Sequence, residues 1–137
     1  MGARTKARKR ALDVLYAAEL RGEDPVASLE QEVAEGHGPP NDYTITLVRG
    51  VAAERVRIDE LLATYSRGWT LERMPAVDRN VLRIGAWEIL YADDVPDVVA
   101  VTEAMTLVSD LSTDDSPAFV NGVLDTLRRH KESSTLA

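Results

Sequence analysis

Apolar side chains recur at helical spacing along nearly the whole chain, and no segment alternates as a strand would. Residues 4–21 open the pattern, with Ala7, Ala11, Val14, Leu15 and Ala18 on one face and Gly22 as the stop. Asp24 followed by Pro25 predicts an N-cap and first turn for a short helix over about 25–35. The stretch GHGPPND, residues 36–42, reads as loop. A third helix runs from about 42 to 66 on Ile45, Val48, Ala52, Val56 and Leu62. Arg67-Gly68-Trp69 breaks it and marks the seam between two halves, about 4–66 and about 70–131. Thr70 is a candidate cap for a short turn ending near Met74-Pro75.

Residues 76–92, AVDRNVLRIGAWEILYA, are apolar almost all round, which predicts the buried centre of a bundle. The sequence DDVP ends that helix, because Val95 before Pro96 resists the helical region. Ala100, Ala104, Leu107 and Leu111 then form a stripe over about 97–111. Pro117 after Asp114, Asp115 and Ser116 starts the last helix, about 117–130, with Val120, Val123, Leu124 and Leu127 inward. Arg128, Arg129 and Lys131 suit the negative end of its dipole. At 137 residues the chain makes one domain able to bury a core.

Charge changes the picture. The net charge is −7, but the first ten residues carry Arg4, Lys6, Arg8, Lys9 and Arg10 and no acid. The other 127 residues hold 11 basic and 23 acidic side chains, so a basic arm sits on an acidic body. Cysteine is absent and there are two histidines, His37 and His130, which excludes disulfide scaffolds, thiolate metal sites and cysteine nucleophiles. No run approaches a membrane span. Asp13 and Glu19 interrupt the apolar run after the basic residues, so a signal peptide is rejected and a cytoplasmic protein expected.

The arm can neutralise phosphates, or it can be a solvated tail. Tyr16 stands seven residues after Lys9, on nearly the same line of the helix and away from the Ala11–Leu15–Ala18 stripe. A ring beside a cationic stripe suits single-stranded nucleic acid, with phosphates on the cations and a base on the ring. The other reading packs Tyr16 against a neighbour near Leu12 and Leu20. Asp78 and Glu88 stand on the apolar helix but ten residues apart, a weak catalytic pair. An acid on so apolar a helix is exposed or paired, and Asp78 either caps the first turn or marks a partner surface. The clusters Asp93-Asp94-x-x-Asp97 and Asp110…Asp114-Asp115 stand at helix starts and read as caps rather than metal loops. No phosphate loop, GxGxxG, HExxH or GxSxG is present, so no enzyme is expected.

Three blocks carry a likeness to a known family. ARKRALDVLYAAEL, residues 7–20, is similar to an Arg-rich opening helix ending in A-L-Y. VDRNVLRIGAWEI, residues 77–89, is similar to V-E-K-x-V-L-R-I-x-x-Y-E-L. DVPDVVAVTEAMTLVSDLSTDDSPAFVNGVLD, residues 94–125, is the longest, and its F-V-N-G-V-L after a helix start is the most specific. Together they resemble the bacterial transcription antitermination factor NusB family across the whole chain, weakest over residues 23–42.

The resemblance implies an all-α, NusB-like bundle of about seven helices in two small helical subdomains. It implies a partner, the ribosomal protein NusE, and RNA carrying boxA, joined to the RNA polymerase antitermination complex during rRNA transcription, without catalysis, cofactor or membrane. Residue by residue, it implies RNA binding at Arg4, Lys6, Arg8, Lys9, Arg10 and Tyr16, and near Asp115 and Phe119. Asp78 matches the family's acid at the NusE contact, one methylene shorter. Trp87 replaces a frequent tyrosine, and Pro117 stiffens the first turn of the last helix. Some members pair through surfaces that others offer to partners, so a homodimer stays open. Two rival readings are a helical protein–protein adaptor and the NusB-like domain of an rRNA cytosine methyltransferase, the second needing a chain longer than this one.

Overall fold

Local stop and start signals place the helices. A computed structural model describes residues 2–36, 41–67 and 69–136. Among them are six α-helices and one turn of 3-10 helix, with no strand: α1 Ala3–Arg21, α2 Pro25–Ala34, α3 Asp42–Tyr65, the 3-10 turn Leu71–Arg73, α4 Ala76–Tyr91, α5 Asp97–Leu111 and α6 Ser116–Glu132. The class is all-α as expected, with six helices and a turn where about seven helices were implied. The expected seam centres on Gly68, which lies outside the described residues, as do residues 37–40 of the expected loop.

The chain forms two compact units, Met1–Ala53 and Glu54–Ala137. In the first, Gly22 takes a left-handed φ of 67° and ends α1, with the Glu23 N–H donating to Ala18 O at 2.8 Å. Asp24 caps α2 by accepting from the Ala27 N–H at 3.2 Å. Helices α1 and α2 pack together, and Arg10 reaches Glu32 at 2.9 Å. The Thr44 hydroxyl donates to Ala7 O at 3.1 Å and fixes the start of α3 against α1.

In the second unit α4 packs on both α5 and α6. Ten of its sixteen residues are buried, as expected of a central helix. Gly85 lets α6 approach closely: a Cβ there would stand 2.7 Å from Leu124 Cδ1. Polar residues on α4 are buried because they are paired. Arg83 makes a fork to Asp59 of α3, at 2.9 Å from Nε and 3.1 Å from Nη2, and donates to Asn80 Oδ1 at 3.1 Å. Lys131 ties the end of α6 to Ile89 O at 2.6 Å and to Asp97 at 2.9 Å.

Three expectations about helix caps need correction. Pro96 occupies the cap position of α5, and the Asp97 carboxylate goes to Lys131. Asp115 occupies the cap position of α6 with φ −84° and ψ −15°, already helical, and its carboxylate makes no capping bond. A side-chain cap needs extended backbone at that residue, and Asp115 lacks it. Thr70 likewise makes no side-chain cap to the turn it precedes.

Candidate nucleic-acid and partner interface

The exposed face of α1 follows from its period. Ala7, Ala11, Leu12, Leu15 and Ala18 take the buried side, which turns Arg4, Lys6 and Lys9 to solvent. The ammonium groups of Lys6 and Lys9 have no hydrogen-bond or ion-pair partner among the described residues. Tyr16 is half-buried further along the helix, and its hydroxyl has no partner among the described residues.

The five basic residues of the arm do not form one stripe. Arg8, expected among the solvated cations, is 3% exposed. Its guanidinium lies 5.6 Å from the centre of the Tyr43 ring, and that of Arg4 lies 4.3 Å from the same centre. A cation so buried is a packing element, and only Arg4 of that pair still faces solvent. Arg10 is half-buried and occupied by Glu32. Tyr43 is the residue that sequence reasoning missed. It sits in the first turn of α3, and nothing in its own neighbourhood signals that it lies under two arginines.

The second group stands at the turn between α5 and α6. Asp78 was expected to be exposed or paired, and it is paired: it is 0% exposed and accepts from Ser112 Oγ at 2.5 Å and Ser116 Oγ at 2.8 Å. Neither a first-turn cap nor an open partner surface describes it. Ser116 also accepts from the Thr113 N–H at 3.3 Å, so one carboxylate organises the whole turn. Asp115 stands beside this network with its own carboxylate exposed. One turn on, Phe119 is half-buried and meets the Trp69 ring edge-on, centroids 4.8 Å apart at 73°. The arrangement offers an acid and two rings at a surface.

The family model described as NusB family matches residues 5–129. The transcription antitermination protein NusB of Nocardioides sp. is 69% identical over 133 residues, spanning 97% of this chain and 98% of that protein. Its namesake from Saccharopolyspora erythraea is 64% identical over 126 residues, spanning 90% and 85%. Among solved structures, T. maritima NusB superposes with a TM-score of 0.85 at 31% identity, covering 98% of this chain and 99% of that one. Antitermination factors NusB and NusE in complex with dsRNA give a TM-score of 0.80 at 28% identity, covering 92% and 96%.

Proposed function

The chain belongs to the NusB family, and on that premise we propose that it is an RNA-binding transcription antitermination factor that pairs with NusE. It acts by assembly and not by catalysis, in the cytoplasm, bringing boxA RNA to the RNA polymerase antitermination complex. The observation that carries the RNA reading is the exposed trio Arg4, Lys6 and Lys9 on a chain of net charge −7. Basic side chains gathered on one helix attract a polyanion that the protein's net negative charge opposes.

Within this reading Tyr16 supplies a stacking surface beside the cations. Arg8 holds the arm in place by packing on Tyr43, and Arg10 by its ion pair, so both act by positioning. Asp115 and Phe119 form a further contact point at the start of α6. Asp78 serves the NusE contact from inside, by fixing the α5–α6 turn through Ser112 and Ser116. The test is a titration of labelled boxA RNA with the protein, with and without NusE, against a scrambled RNA. Weak binding alone that tightens with NusE, and does so for boxA in preference to the scrambled strand, supports the proposal. RNA affinity absent under both conditions, with NusE still bound, favours a helical adaptor.

A further inference from the structure

A pocket of about 210 Å³ opens at the C-terminal end of α6, lined by Arg67, Thr126, Arg129, His130, Ser133 and Thr135. None of these residues takes part in the contacts assigned above. We propose that this pocket is a second anion site, built to hold a phosphate group.

Charge is the first argument. Arg67 has no ion-pair partner among the described residues. Arg129 reaches Asp125 Oδ2 at 3.2 Å, but the other oxygen of that carboxylate already serves Arg128 at 2.7 Å. Glu132 is also engaged by Arg128, at 2.9 Å. Three arginines therefore face two carboxylates, leaving local positive charge on an acidic chain.

Geometry is the second argument. The end of a helix ordinarily presents free carbonyls, which repel anions. Here the Ser133 N–H donates to Arg129 O at 3.1 Å, Ser134 to Lys131 O at 3.1 Å and Thr135 to His130 O at 2.9 Å. Ser134 takes a left-handed φ of 58° to make that reversal. The returning chain sets Thr135 Oγ1 2.8 Å from His130 Nδ1 and 2.7 Å from Ser133 Oγ. Stacking on Tyr65, centroids 4.6 Å apart at 18°, orients the imidazole, and its Nε2 has no hydrogen-bond partner among the described residues. The third argument is backbone strain. Arg67 holds a φ of 28°, a region that side chains rarely enter, and such outliers concentrate where a side chain must be aimed. Guanidinium, imidazole and hydroxyl groups converging on one small pocket match the oxygens of a phosphate.

The test is a nuclear magnetic resonance titration of the full chain with inorganic phosphate, ionic strength held constant with chloride. Saturable shifts at Arg67, Thr126, His130 and Thr135 are expected. Arg129→Gln and Arg67→Ala should each weaken binding on the order of tenfold, the loss of one charge-assisted contact. Lys6→Glu should leave it unchanged. Unmoved resonances elsewhere show that each variant is folded, and Arg129→Gln keeps the test alive if Arg67→Ala distorts the turn. A short single-stranded RNA is the second probe. The same saturable shifts with RNA identify a backbone phosphate as occupant, whereas a response to inorganic phosphate alone identifies a small phosphorylated ligand. Shifts that track chloride equally, never saturate, or survive both arginine substitutions overturn the site.

Discussion

Tyr16 and Asp78 separate contact from support, because one is half-exposed and the other sealed. Tyr16→Ala removes a stacking surface worth roughly 1–3 kcal/mol. RNA binding should weaken by that amount with its salt dependence unchanged, since stacking releases no counterions. Tyr16→Phe should be silent, the hydroxyl having no partner among the described residues. A fall of many degrees in Tm for Tyr16→Ala would make the ring a core residue instead. Asp78→Ala leaves the Ser112 and Ser116 hydroxyls without their acceptor, at a cost of about 1–3 kcal/mol of stability by urea unfolding. NusE binding should weaken with it, while direct RNA affinity holds. An Asp78→Ala protein as stable as its parent would contradict the internal role.

Helix α6 approaches α4 closely at Gly85. Gly85→Ala brings a methyl carbon to 2.7 Å from a fully buried leucine. Overpacking of this kind costs roughly 1–3 kcal/mol, against a helix-propensity gain of up to about 1. The net effect should be a loss of about 1 kcal/mol, read from the denaturation midpoint; a stabilised variant would show that α6 moves aside freely. Helix positions were legible in the sequence because Gly22, Asp24-Pro25, Pro96 and Pro117 act on their own neighbours. The acids before α5 and α6 were misread because a cap depends on backbone angle and on competing cations such as Lys131. Arg8 was legible in part. It precedes Ala11, Leu12 and Leu15 by three, four and seven residues, all of them buried, so the period included it and only its charge argued otherwise. The Tyr43 contact exists only once α3 folds back on α1, and no local pattern encodes that.

Across the whole molecule, a net charge of −7 opposes general attraction to RNA, so binding must come from a few placed cations. Arg4, Lys6 and Lys9 are exposed while Arg10 is held by Glu32, which sets the reach of the arm at about three phosphates. The salt dependence of RNA binding by the full chain measures this most directly. For single-stranded RNA the log–log slope should be roughly −2, and exchanging both Lys6 and Lys9 for Glu should shrink it by about 1.4 while the fold survives. Nanomolar binding blind to sequence, a slope near zero, or a slope unchanged in the double variant would contradict the claim that α1 is the RNA surface.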